Sequence, residues 1–280
     1  MINSILDLTS ILELFASGLK EEKNLVIVEL PGDNSLLYKQ AKTNDDKNLL
    51  FNSFCQANLQ VEFAFEHYCS FIRNLTEPGL PIAMFTSLRA LMETSSNAIY
   101  LSDLSIAMTE RISRGYSLRY RDLKEQLSLL NIFGSDDDKK VTLERIESVE
   151  KDAINYGFKK VINRQNERIG IAKTMPSIIN IIKETSNNEL LYRYFSGVLH
   201  GNFWAVKDSI FRKVKTISND QNRSYTEMEK GFEFKTVIDM SKLAILLLFT
   251  PENNIYRLAG WNVERLLNLY NLTLLNFKTE

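Results

Sequence analysis

The amino-acid sequence predicts an all-α fold, a multi-helix bundle, on three observations. Apolar residues recur at helical spacing through almost all of the 280 residues, Gly (11) and Pro (5) are scarce, and a single segment, 24–30, reads as a strand. The 44% hydrophobic and 25% charged content is that of a folded globular chain. At this length roughly 75% of the unfolded surface can be buried, so the core needs no disulfide or metal to complete it.

Residues 1–44 read as an N-terminal appendage, a helix followed by NLVIVEL at 24–30, which Pro31 and Gly32 end. One strand makes no sheet, so this piece is a short strand with a distant partner or an extended arm. Residues 45–280 read as one bundle domain, giving seven to nine helices in all. A long helix from Asp45 to Asn74 carries Leu49, Leu50, Phe54, Leu59, Phe63, Phe65 and Phe71 and stops at TEPGLP. Pro81 then opens a second helix to about Leu101, and Asp103 is placed to cap a third that runs to Leu130.

Asp136, Asp137 and Asp138 complement the positive end of the charged helix that follows, KKVTLERIESVEKDAINYGFKK. They lack the alternating ligands and turn glycine of a calcium loop. Thr174 and Pro176 open a short helix over 177–184, and Ser186 or Asn187 caps the next, ELLYRYFSGVLHGNFWAVKDSIF. In that helix Gly197 and Gly201 permit a close approach or a break. The polar run 215–231 reads as a loop, and two apolar helices close the chain at about 234–249 and 254–277.

The 34 basic and 35 acidic residues give a net charge of −1, so there is no global basic excess of the kind that announces nucleic acid. A local basic cleft remains compatible with that average. Cys55 and Cys69, fourteen apart on one helix, read as reduced thiols, and with only His67 and His200 no common zinc site is expected. His67, among aromatics, reads as a core or partner-facing histidine, and Trp204 and Trp261 as packing anchors. No Walker loop, dinucleotide fingerprint or nucleophile elbow occurs. No cofactor, metal or membrane is expected. The first 23 residues lack a secretory pattern and Leu243–Phe249 is too short to span a bilayer, so a cytoplasmic protein is expected.

The most informative stretch is 189–203. On a helix Arg193 and His200, seven apart, share one face, with Ser196 one turn before His200 and Tyr192 one turn before Ser196. Imidazole can take or give a proton near neutrality, and a guanidinium can grip a non-bridging phosphate oxygen. The ribose 2′-hydroxyl would supply the nucleophile without a metal. The plainer reading is a helix-ending His200 bonded to Ser196 beneath Phe203 and Trp204. A second polar stripe pairs Arg89 with Glu93 on an otherwise apolar helix, and the next helix offers Arg111, Arg114 and Arg119. Such an ion pair either braces helices or completes a phosphate pocket.

With Arg89 and Glu93 as Arg-x-x-x-Glu, then Tyr192, Ser196, His200 and Gly201 as Tyr-x-x-x-Ser-x-x-x-His-Gly, the sequence resembles the HEPN superfamily (higher eukaryotes and prokaryotes nucleotide-binding). It is closest to that superfamily's uncharacterised bacterial members, over roughly 45–212. The Arg193-to-His200 spacing, six residues between, matches the superfamily's catalytic signature, although Tyr194 stands where active members often have a small polar residue.

The resemblance implies a helical bundle that homodimerises across a shared cleft. It also implies a metal-independent endoribonuclease or RNA-binding protein, possible as a toxin or antiviral-defence effector. His200, Arg193, Ser196 and Tyr192 would be catalytic, and Arg89, Glu93, Arg111, Arg114 and Arg119 would bind phosphate. The alternatives are a non-catalytic module that binds a protein partner in a defence or toxin–antitoxin complex, and a nucleotide or anion sensor.

Overall fold

The computed structural model describes residues 2, 4–26, 30–76, 79–207, 211–219, 223–230 and 233–277. Among them are ten helices: α1 Ile5–Val26, α2 Asn44–Leu75, α3 Pro81–Ser102, α4 Met108–Phe133, α5 Asp136–Asn155, α6 Ile178–Ser186, α7 Glu189–Leu199, α8 Phe203–Val206, α9 Phe234–Ala259 and α10 Glu264–Leu275. Two antiparallel hairpins interrupt them, β1 Lys160–Ile162 with β2 Arg168–Ile171, and β3 Phe211–Asn219 with β4 Arg223–Lys230. The fold is an all-α multi-helix bundle. No described helix is long and apolar enough to cross a membrane.

Local side-chain caps set the starts of α2 and α5. Thr43 and Asp46 form a reciprocal capping box at α2: the Asp46 N–H donates to Thr43 Oγ1 and the Thr43 N–H to Asp46 Oδ2, both at 3.0 Å. Ser135 caps α5, accepting from the Asp138 N–H, and the three aspartates occupy its first turn as expected. Asp103 does not cap α4. Its Oδ1 is taken by the backbone and hydroxyl of Ser105, and α4 begins five residues later, where the Met108 N–H donates to Gln40 Oε1 at 2.7 Å.

Four other expectations are corrected. Asn24 to Val26 continue α1 rather than begin a strand, and 27–29 lie outside the described residues. The helix expected to reach Lys160 ends at Asn155, because Gly157 takes φ +101°, and the chain turns into β1. The run 215–231 is largely hairpin, since β-branched and aromatic residues such as Thr216, Ile217, Tyr225 and Thr226 recur in its polar composition. Finally, α9 passes through Pro251 to Ala259. The proline forfeits one backbone hydrogen bond, but the buried apolar residues on both sides of it hold the helix together, and the break falls at Gly260 with φ +77°.

The core is built around α3, which packs against α2, α6, α7 and α9 and buries Met84, Phe85, Leu88, Leu91 and Met92 completely. The segment read as an appendage contributes Leu8, Leu12, Phe15 and Leu19 of α1 to this same cluster. A buried ionic contact fixes α1: Lys23 Nζ lies 3.0 Å from Glu252 of α9 and 2.6 Å from Glu62 of α2, with the Glu252 side chain 1% exposed. Burial holds the Glu252 carboxyl above its ordinary pKa despite the neighbouring ammonium.

A smaller cluster joins α2, α3, α4 and the end of α9, and a third lies between α4, α5 and β2. The α2–α4 crossing depends on Gly115, where an added Cβ would fall 2.2 Å from Ser53 Oγ and 3.1 Å from Ser53 Cβ. Gly115→Ala is therefore expected to lower stability in urea unfolding by about 1–3 kcal/mol. Since the closest contact is the hydroxyl, adding Ser53→Ala should recover part of that loss; a strictly additive double variant would contradict this account of the crossing.

Candidate functional site

α3 and α7 meet through polar groups on one side of α3. Arg89 Nε lies 3.0 Å from Glu93 Oε1, an i,i+4 ion pair whose angle is too bent for a hydrogen bond and which leaves that N–H unsatisfied. Tyr192 of α7 closes the group: its hydroxyl donates to Glu93 Oε1 at 3.0 Å and accepts from Arg89 Nη2 at 3.2 Å, and the guanidinium sits 5.3 Å from its ring centroid. The Tyr192 side chain is otherwise buried in the core. Burial pushes its phenol pKa up, and Arg89 pulls against that. Burial also disfavours the Arg89 charge, but Tyr192 and Glu93 outweigh it and hold the guanidinium protonated. His67 of α2 feels Glu93 as well, although burial prevails and lowers the imidazole's pKa.

The expected Tyr192–Arg193–Ser196–His200 group divides between two sides of α7. Tyr192 faces α3, whereas the Arg193 side chain is 60% exposed and folds back one turn, with Nε and Nη2 at 3.0 and 2.9 Å from Glu189 Oε1. That bend points the guanidinium along the helix away from His200. His200 is exposed and ends α7: its backbone N–H donates to the Ser196 carbonyl at 3.0 Å, and Gly201 follows at φ +67°. No side-chain hydrogen bond joins Ser196, Arg193 and His200 among the described residues, so the expected Ser196–imidazole contact is absent there. Beyond the break α8 presents Phe203 and Trp204, 67% and 60% exposed, with the edge of the Trp204 ring packed onto Gly197. Trp204 is therefore only partly a packing residue. Trp261 does pack, edge-on to Tyr256 and Phe54.

The arginines of α4 do not gather into one cleft. Arg111 is buried and donates to the carbonyls of Leu101 and Asp103 at 2.7 and 2.6 Å; burial lowers its pKa to about 10. Arg114, also buried, donates to the Tyr100 carbonyl and to Glu110 at 2.7 Å each and to Glu184 at 3.1 Å, and lies 3.8 Å from the centre of the Tyr100 ring. Lys173 completes this knot through Glu110. Both arginines thus satisfy the carbonyls at the C-terminal end of α3, and neither is open to a phosphate. The spacing of these residues on α4 is as expected, but donors one turn apart reached back into the α3 terminus, a contact that no single-helix pattern reveals.

Arg119 is exposed and lines a separate cleft of about 240 Å³ between α2, α4 and α5, together with Arg145, which the sequence pattern did not single out. Comparison with protein-family models, with curated proteins and with solved structures finds no match to this chain.

The two sides of α7 can be told apart by substitution. Tyr192→Phe removes both hydrogen bonds to charged partners and is expected to cost about 1–3 kcal/mol of stability in chemical denaturation. Arg193→Ala, which breaks only an exposed pair, should stay within about 0.5 kcal/mol of wild type. The reverse ranking would overturn this assignment of a brace and a free face.

Proposed function

We propose that this protein is a HEPN-like RNA-binding protein that cleaves RNA without a metal, working as a homodimer through the open edge formed by α7 and α8. The observation that carries the reading is the exposure of His200 at the end of α7, on the same α7–α8 segment as the exposed Arg193, Phe203 and Trp204. The exposed imidazole, with no side-chain hydrogen bond among the described residues, is available to take the proton of a ribose 2′-hydroxyl or to protonate a leaving 5′-oxygen. Exposed aromatic rings offer stacking platforms for unpaired bases. The Arg193–Glu189 pair is exposed, so a phosphate can displace the carboxylate at little cost.

Arg193 and His200 lie about 10 Å apart along the helix, and the guanidinium reaches the other way. One phosphate is therefore not spanned by both groups of a single chain. Two copies with antiparallel α7 helices would set Arg193 of one protomer against His200 of its partner, which is what the family resemblance implies. Tyr192, Arg89 and Glu93 would position α7 rather than touch RNA.

The exposed Leu190, 82% accessible, together with Phe203 and Trp204 also favours a second reading, a non-catalytic module whose apolar edge binds a protein in a defence or toxin–antitoxin complex. The experiment is incubation of the protein with mixed single-stranded RNA in EDTA. The cleavage reading expects products ending in 2′,3′-cyclic phosphate, with rates reduced about 10²-fold or more in His200→Ala and Arg193→Ala at unchanged circular dichroism. Wild-type dimer that binds RNA but never cuts it leaves only the binding role, and protein that neither binds nor cuts RNA sinks the proposal.

A further inference from the structure

The distal half of the α4–α5 hairpin stands clear of the bundle. The last buried residue of α4 is Leu123, and the first two of α5 are Thr142 and Ile146, so the stretch between them is a two-helix arm. Leu123 and Leu127 of α4 close the seam against Ile146 and Val149 of α5. One side of the arm is left bare. Ser53 of α2 meets α4 at Gly115, and Phe133 lies eighteen residues further on, five turns of helix, so it points the same way as Gly115. With Leu129 and Ile132 beside it, these three side chains are 70%, 51% and 80% exposed. The side of α4 that α2 covers at Gly115 therefore continues uncovered to the tip.

α5 supplies the other half of this side. Arg145, Ser148 and Asp152 line the cleft toward α2, and the same stripe continues outward through Val141, 46% exposed, to Asp137 at the tip. Carboxylate, apolar side chain and guanidinium thus follow one another at spacings of four, even in position and opposite in charge about Val141. Asp137 and Arg145 are exposed and have no ion-pair partner among the described residues, whereas Asp136 is held by Lys139 and Asp138 by Ser135. Arg119 of α4, also unpaired among the described residues, adds positive charge at the body end of the face.

We propose that this side of the arm pairs with the same side of a second copy, the two α5 helices running antiparallel about a two-fold axis at Val141. Asp137 of each protomer then lies opposite Arg145 of its partner, so the ion pair forms twice. Leu129, Ile132 and Phe133 flank the axis and gain the second helical layer that a lone two-helix arm lacks. Self-complementarity selects a copy of this chain over another protein. A two-fold contact requires one face to satisfy itself, and a face acidic at one end, basic at the other and apolar between does so in the antiparallel sense. The four apolar side chains expose roughly 500 Å² per chain, and the flanking charged residues bring the face toward the ~800 Å² per partner of a stable interface. This contact is separate from the α7–α8 edge, so a dimer through α7 and the arm contact together build assemblies larger than a dimer.

The test is sedimentation velocity of the full chain over a concentration series at physiological ionic strength. Reversible association should appear, with its Kd raised about tenfold or more by Arg145→Asp and by Asp137→Arg, each of which sets like charges together twice. Phe133→Glu should abolish it. Combining Asp137→Arg with Arg145→Asp exchanges the signs and should recover most of the wild-type affinity. All three positions are exposed, so circular dichroism should not change. Leu190→Glu, on the α7 edge, should leave the arm contact in place.

A chain that stays monomeric throughout overturns the proposal, and so does self-association that every arm variant retains. A double variant that recovers nothing overturns it too, because the antiparallel register then fails. A dimer lost only in the arm variants supports this contact and leaves the α7 dimer without support. One lost only in Leu190→Glu does the reverse, so the two readings fail separately.

Discussion

A buried helix must find donors for its last carbonyl groups, and the C-terminal end of α3 is where this requirement shapes the molecule. α3 is the helix against which α2, α4, α6, α7 and α9 pack, and its end lies away from water. Arg111 and Arg114 supply the donors from α4, to the carbonyls of Tyr100, Leu101 and Asp103. Their positive charge also suits the negative end of the helix. Meeting that one demand fixes where α4 starts and which face it turns to α2. Through Glu110, Glu184 and Lys173 the same knot holds α6 and the chain that leads from β2 into it. The β1–β2 hairpin and α5 both pack on α4 beyond this point.

The polar residues of the interior thus do two kinds of work. Arg89, Glu93 and Tyr192 are held to one another by an ion pair and two hydrogen bonds, which makes a partly buried charge tolerable even with the Arg89 Nε–H left over. Groups left with spare hydrogen-bonding capacity are elsewhere: at the turn after α7 and in the groove beside α5. The distinction is one of satisfaction rather than residue type, since arginines appear on both sides of it.

Much of the fold was legible because helical periodicity is local. Leu50, Phe54 and Phe71 announce α2 without reference to any neighbour, and the three aspartates announce α5. What escaped was chemistry that depends on a second element. Pro251 looks like a stop until the burial around it is known, and Asp103 looks like a cap until Ser105 competes for it. Arg193 lies within α7 and His200 only at its C-cap, and side-chain direction is set by Glu189 and by the break at Gly201. Arg145 was not singled out, because its meaning depends on what the rest of the fold leaves uncovered around it.

The contact of Lys23 with Glu252 joins residues roughly 230 positions apart, so this part of the structure has high contact order. On the ribosome α1 emerges long before its partners in α9 and α10 exist. At ordinary elongation speeds the gap is on the order of tens of seconds. Throughout that interval the stripe of Leu8, Leu12, Phe15 and Leu19 has only α2 to lie against. The nascent chain therefore carries an unfilled apolar surface until α9 and α10 have been made, which makes α1 the segment where chaperone engagement and premature self-association compete with native assembly.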